Sequence, residues 1–252
     1  SNLNGKVSFN EAEKILSLGK EYSLNTLDTA INYGDSEKVL GNIGVDEWNV
    51  ISKLPAIPKK CNDIESWIDN EVMKSLDLLK LPYLYAILIH NPDDINEENK
   101  EHVISGLMKL KKNGKVKKIG ISIYDPSELT SLVGNFPIDI IQVPMNIFDR
   151  RILYSKEITQ MKADGCEIHI RSIFLQGLLL MNNDNRPEKF NRWKNIWLKW
   201  EKWLTENNLT PLEACLSYAA SSSLVDKIVI GLTSEAELNE ILNTSINSNL
   251  KP

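Results

Sequence analysis

Short apolar runs alternate with amphipathic stretches along almost the whole chain. Runs rich in Ile, Val and Leu lie near residues 24–29, 48–54, 85–90, 117–123, 138–145, 167–173 and 227–231. They are continuous rather than alternating, the pattern of parallel strands covered on both faces. Helical periodicity fills the intervals. From Asn62 to Lys80, residues Ile64, Trp67, Ile68, Val72, Met73, Leu76 and Leu79 fall on one stripe. Helix starts are marked as well. Ser8-Phe9-Asn10-Glu11 is a capping box ahead of Ala12, Ile15, Leu16 and Leu18. Asp125-Pro126-Ser127-Glu128 and Thr210-Pro211-Leu212-Glu213 each place a cap, a first-turn proline and an acid in succession. Trp193, Trp197 and Trp200, with Ile196 and Leu204, have helical spacing and read as a face packed on the sheet rather than an aromatic substrate site. Strands alternating with helices in this number predict an α/β fold of the (β/α)8 TIM barrel type. No repeat, linker or low-complexity boundary interrupts the pattern, so residues 1–252 read as one domain.

Polar residues punctuate the carboxyl ends of the first three runs: Asp28 and then Tyr33, Lys53, and His90. Parallel strands joined by helices bring such ends to one mouth, where barrel enzymes carry their chemistry. Side chains alternate faces along a strand. Ile51 therefore shares a face with Lys53, Ala86 and Leu88 with His90, and Ile140 with Gln142. If the polar members point inward, aliphatic side chains fill the barrel beneath one chemical end. A phenol beside an ammonium and an imidazole is a proton donor suited to a carbonyl. Alone, Tyr33 would be a loop aromatic, Asp28 a cap and His90 a satisfied core histidine; it is their grouping that points to catalysis.

Composition narrows the classes. Formal net charge is −5 with both signs interspersed, so neither nucleic acid nor an acidic membrane is an expected partner. No apolar run reaches the length of a membrane span, and no leader opens the chain. Cys61, Cys166 and Cys215 are odd in number and fit no zinc spacing, which predicts reduced thiols, no metal and a cytoplasmic location. Three scattered histidines also argue against a metal-dependent hydrolase. His102 sits in a charged helical stretch and reads as solvated, whereas His169 shares a face with Arg171 and reads as a structural residue deeper in the barrel.

Asp28-Thr29-Ala30-Ile31-Asn32-Tyr33-Gly34-Asp35-Ser36-Glu37, then Ser52-Lys53-Leu54, then Ile89-His90, resembles the aldo-keto reductase family. Later segments agree in order: Gly120-Ile121-Ser122-Ile123-Tyr124, Gln142-Val143-Pro144-Met145-Asn146 with Asp149-Arg150-Arg151, Arg171 to Leu179, and Ile228-Val229-Ile230-Gly231. The resemblance implies reduction of an aldehyde or ketone to an alcohol, with Tyr33 as general acid, Lys53 lowering its pKa, Asp28 holding Lys53, and His90 orienting the carbonyl. It implies NADP(H) or NAD(H) as cofactor. The residues that correspond to cofactor contacts are Ser122, Gln142, Arg171, Ser172, Leu175, Gly177, Gly231, Thr233, Glu237 and Glu240. Phosphates are expected near Gly231 and the last helix N-terminus; no Gly-x-Gly-x-x-Gly follows a strand. The family's first strand is expected ahead of Ser1, since Ser1 to Val7 is too polar to replace it.

Some positions depart from the family pattern. Ile123 replaces an asparagine, Arg171 replaces the tyrosine that stacks on nicotinamide, and Ile241 replaces an adenine-binding asparagine. Ser234 and Glu237 stand where a basic residue often meets a 2′-phosphate. They also form a capping box in their own right, so the choice between NAD and NADP stays open. These departures keep a second reading in play, a non-catalytic nucleotide-binding relative acting as a sensor or regulatory subunit. Asn182 to Pro187 is a turn-rich loop on the expected catalytic side. Substrate identity and oligomeric state are not written in the sequence.

Overall fold

The computed structural model describes residues 6–129 and 136–247. Seven parallel strands form one sheet in sequential order: β1 (Thr26–Asp28), β2 (Asn49–Leu54), β3 (Leu84–Ile89), β4 (Val116–Ser122), β5 (Ile140–Pro144), β6 (Glu167–Arg171) and β7 (Lys227–Ile228). Helices α1 (Phe9–Glu21), α2 (Ser36–Ile43), α3 (Ile64–Leu79), α4 (Lys100–Lys112), α5 (Lys156–Ala163), α6 (Lys194–Glu206), α7 (Pro211–Ala220) and α8 (Glu235–Leu242) accompany them. This is the curled (β/α)8 architecture, with β1 and β7 as the two edges among the described residues. Residues 1–5, part of the stretch judged too polar to replace a first strand, lie outside the described residues.

The edge strands are shorter than their apolar runs. Residues 24–29 yield a three-residue β1, and 227–231 a two-residue β7. Each pairs on one side only, so fewer of its residues enter a ladder. Helix signals translate in part: the box expected at Ser8 and Glu11 is half formed, because Glu11 turns to Glu235 N. Ser8 Oγ accepts from Glu11 N at 3.2 Å to start α1, and Thr210 and Glu213 form a reciprocal capping box at the start of α7. The Asp125-Pro126 start gives a 3-10 turn, Pro126–Leu129, and its continuation lies outside the described residues.

Apolar side chains divide by parity as expected. Ile51, Ala86, Leu88 and Ile140 form a separate cluster in the lumen, whereas Val50, Leu54, Ile87, Ile89 and Ile141 join the larger core between sheet and helices. Gly120 sits where a Cβ would lie 2.2 Å from the Ile140 carbonyl oxygen and 2.7 Å from Leu88 Cδ2, so the lumen needs glycine there. Trp197, Trp200 and Leu204 of α6 are buried, with Phe148 against both tryptophans. Ile196, expected on the same face, is instead exposed.

Candidate active site

The backbone beyond β1 keeps following β2. Thr29 N donates to the Ile51 carbonyl at 2.8 Å and Ile31 N to the Lys53 carbonyl at 3.1 Å. This holds the loop that carries Tyr33 beside the end of β2. Lys53, 1 % exposed, donates from Nζ to Asp28 Oδ1 and, at 2.8 Å, to the Thr29 carbonyl. Gln142 Nε2 donates to the other Asp28 oxygen at 2.7 Å. Asp28 thus ties β1 to β2 and β5, giving the buried ammonium the partner it needs. The Tyr33 and His90 rings meet edge to face, with centroids 5.9 Å apart, and Lys53 Nζ stands 5.4 Å from the Tyr33 ring centroid. The structure therefore brings Asp28, Tyr33, Lys53 and His90 together.

Electrostatics correct one expectation. Lys53 was to draw the Tyr33 pKa down; in this structure it stands above the ordinary phenol value. Burial raises it first and the Asp28 charge raises it further, while Arg171 pulls the other way. The Lys53 ammonium is directed to Asp28 and Thr29, which spends its field on the carboxylate. Burial lowers the pKa of Lys53 itself, opposed by Asp28. His90 is also lowered, by burial and then by Lys53 and Arg171, so the imidazole is neutral at neutral pH.

The residues expected to touch a cofactor fall into two groups. Ser122 at the end of β4 and Gln142 on β5 are register partners and both buried. Ser122 Oγ and Gln142 Oε1 make no hydrogen bond to protein among the described residues. That pair of a hydroxyl and an amide carbonyl, adjacent at the mouth, fits the donor and acceptor of a carboxamide. Ser172, Leu175 and Gly177 lie in the loop after β6. Ser172, Leu175, Gln176 and Gly177 have φ of 62°, 48°, 56° and 85°, a left-handed run that three non-glycine residues rarely adopt. Strain of this kind is kept at functional loops.

The second group meets the protein's own side chains. Gly231 has open space around its Cα. At the start of α8, however, Glu237 accepts from Thr233 N at 2.6 Å and Thr233 Oγ1 at 2.7 Å, and Ser234 Oγ accepts from Glu237 N at 3.2 Å. Glu11 of α1 accepts from Glu235 N at 2.7 Å. Ser234 thus caps α8, but the expected box is only half formed, since Glu237 turns to Thr233 instead of the Ser234 N–H, and acids already occupy this helix end. Glu240 is exposed on α8.

Three features were not read from the sequence. The Thr29 carbonyl holds Lys53, a backbone contact with no side-chain signal. Arg171 donates from Nη2 to the Ile123 carbonyl at 3.0 Å and lies 4.5 Å from the Tyr124 ring centre. Below the mouth, Glu167 accepts from Tyr85 Oη at 2.7 Å, from Lys118, and from His169 Nε2 at 2.9 Å. His169 is fully buried, in keeping with its expected structural place, and its Nδ1 has no partner among the described residues. His102 is exposed on α4, as expected, 3.9 Å from Glu65. Cys166 and Cys215 are buried free thiols whose pKa burial pushes up to about 12, and Cys61 is also unpaired. Among the described residues no cluster of His, Cys, Asp and Glu could hold a metal, and no helix is long and apolar enough to cross a membrane.

The aldo/keto reductase family profile matches residues 1–251. The chain belongs to that family. It is 28% identical over 199 residues to glyoxal reductase of Bacillus subtilis (strain 168), a match covering 76% of this chain and 70% of that one. An aldo-keto reductase of Gibberella moniliformis is 30% identical over 161 residues, 58% of this chain and 47% of its own length. Among solved structures, an aldo-keto reductase from Bacillus halodurans in its holo form superposes with a TM-score of 0.77 at 19% identity, covering 96% of this chain and 85% of that one. The glycerol dehydrogenase of Gluconobacter oxydans gives 0.74 at 20% identity, over 94% and 82%. At these identities the structural likenesses establish the shared barrel fold.

Proposed function

We propose that this aldo-keto reductase family member is an oxidoreductase that reduces an aldehyde or ketone to an alcohol, with Tyr33 protonating the carbonyl oxygen. The observation that carries this reading is the assembly of Tyr33, His90, Lys53 and Asp28 at one strand end. A nicotinamide cofactor, NADP(H) or NAD(H), supplies the hydride when bound, since no side chain can. Ser122 Oγ and Gln142 Oε1 would hold its carboxamide, with Arg171 beside them; the left-handed loop after β6 would contribute the backbone N–H groups of Ser172 and Gly177 beside the Leu175 side chain, and Gly231 and Thr233 would flank it. Glu237 and Glu240 favour ribose hydroxyls over an added phosphate at that end.

In this reading the neutral His90 donates a hydrogen bond that orients the carbonyl, and Tyr33 keeps its proton until the oxygen gains charge. Gln142 braces Asp28, which holds the Lys53 ammonium in place 5.4 Å from the centre of the Tyr33 ring. The test is Tyr33→Phe against wild type, with NADPH and NADH and a panel of aldehydes. Turnover should fall by about 10²–10⁴-fold, the range for loss of a general acid, while cofactor affinity, read from tryptophan fluorescence, changes little. Unchanged turnover refutes the role of Tyr33. Cofactor binding by wild type with no single-turnover oxidation of NADPH or NADH favours the non-catalytic nucleotide binder instead.

A further inference from the structure

The segment that carries Tyr33 hangs between two buried anchors. Asn32, Tyr33, Gly34 and Asp35 are exposed, whereas Thr29 and Ala30 before them and Glu37 after them are buried. The first anchor is backbone: Thr29 N and Ile31 N donate to the carbonyls of Ile51 and Lys53. The second is a side chain. Glu37, in the first turn of α2 and 3 % exposed, accepts through Oε1 from Ser52 Oγ and from Ser75 Oγ, each at 2.6 Å. Ser52 lies on β2 between Ile51 and Lys53, so both anchors grip the same short stretch of strand. Ser75 ties the joint to α3. Backbone and hydroxyl bonds complete the link to Tyr33. Tyr33 N donates to the Ala30 carbonyl at 3.0 Å, Ser36 N to the Tyr33 carbonyl at 3.2 Å, and Thr29 Oγ1 to Ser36 Oγ at 3.0 Å. A further tie, Lys6 to Asp35, is an exposed ion pair of little strength.

Stability does not explain a carboxyl group at this joint. Glu37 has no cation within ion-pair distance among the described residues, and its bonded oxygen meets only two hydroxyls. Replacing all the partners of such a cluster by apolar groups of similar shape is close to neutral for stability. What an apolar joint lacks is direction. Two hydroxyls converging on one oxygen fix both the distance and the rotation of α2 over β2. We infer that Glu37 is a positioning residue: by locking the start of α2 to Ser52 it sets where Tyr33 stands relative to Lys53, the next residue on β2. A shift of α2 passes to Tyr33 through Ser36, whose N–H holds the Tyr33 carbonyl. The effect on turnover rests on the reductase reading of the site; the placement of Tyr33 rests on geometry alone.

The test compares wild type with two variants. Glu37→Gln keeps an acceptor oxygen for both hydroxyls. The triple change Glu37→Met, Ser52→Ala and Ser75→Ala makes the joint apolar without stranding a buried hydroxyl, so its urea midpoint should stay close to that of wild type. Two quantities are then read. The single-turnover rate of NADPH or NADH oxidation with a panel of aldehydes, at saturating cofactor, should fall by about 10–10²-fold in the triple variant, the scale of a misplaced reacting group. It should stay near wild type in Glu37→Gln. The Tyr33 phenol is titrated by ultraviolet absorbance, as the difference from Tyr33→Phe in each background. It should ionise at lower pH in the triple variant, because a loosened segment gains water and moves from Asp28, the two causes that raise its pKa. A wild-type rate in the folded triple variant, or an unmoved Tyr33 titration, overturns the inference. So does a loss in Glu37→Gln as large as in the triple variant, since the bonds survive there. If the triple variant does not fold, the same two readings on Ser52→Ala decide. If wild type oxidises neither cofactor with any carbonyl, the reductase reading fails by itself, and the Tyr33 titration alone decides on Glu37.

Discussion

Lys53 shows how one residue depends on its partners. Its ammonium is buried and satisfied by Asp28 and a backbone carbonyl, with Gln142 fixing Asp28 from the opposite strand. Removing the cation leaves Asp28 a partly buried charge without its counter-ion. Lys53→Met should therefore cost about 3–5 kcal/mol in stability, measured by urea unfolding, in addition to any loss of turnover. Tyr33 makes a different prediction. Its pKa lies above the ordinary value near 10 because burial and Asp28 disfavour the phenolate. The proton is thus present throughout the neutral range. The pH profile of kcat/KM for reduction should show no basic limb below about pH 10; a limb near neutrality would mean that Lys53 acidifies the phenol after all.

At the scale of elements, close approaches set what the sheet tolerates. Gly120 lies on β4 where the lumen narrows between Leu88 and the Ile140 carbonyl. A methyl there meets backbone that cannot yield without moving β5, and β5 carries Gln142. Gly120→Ala should destabilise the fold by about 1–3 kcal/mol, seen as a lower urea midpoint, and, on the function proposed above, should weaken cofactor binding through the displaced Gln142. The loop after β6 is the complementary case. Its run of left-handed residues is held by Leu175 N on the Ser172 carbonyl at 2.9 Å and Leu179 N on the Phe174 carbonyl at 3.2 Å, with Trp200 Nε1 donating to the Leu179 carbonyl. Nothing in the apolar pattern foretold this geometry, because left-handed backbone at Ser172, Leu175 and Gln176 opposes their local preference and is enforced by packing.

Over the whole molecule, a polar network joins β3, β4 and β6 inside the barrel. Burial alone would raise the Glu167 pKa, but hydrogen bonds from Lys118, Tyr85 and His169 pull it down to about 2. Its folded pKa is below the ordinary 4.5, so its stabilisation is complete above about 4.5 and is lost as pH falls toward 2. His90 and His169 are lowered from 6.5, both first by burial. Between that value and their folded values the unfolded chain binds more protons, so stability begins to fall once pH drops below about 6.5. Urea midpoints should decline in two stages on acidification, the first below 6.5 and the second below 4.5. Glu167→Gln should reduce the second stage, and, because the Glu167 carboxylate raises the His169 pKa, should also enlarge the first. On the helical side, α1 packs on α8 and Glu11 caps the latter. Contacts between sequence-distant elements thus hold together the ends of the sheet's flanks.

The sequence by itself determined the order of strands and helices, the division of Ile51, Ala86, Leu88 and Ile140 from the outer core, and the meeting of Asp28, Tyr33, Lys53 and His90. Periodicity and strand parity are local properties, and a parallel sheet converts them directly into position. Only the tertiary structure decided where the charges go. Lys53 turns to Asp28 and Thr29 rather than to the phenol, Gln142 braces Asp28, Glu237 folds back on Thr233, and Arg171 is left with neutral partners. Those outcomes depend on distances between side chains far apart in the chain, and on how burial weighs one ion against another, which no run of residues encodes.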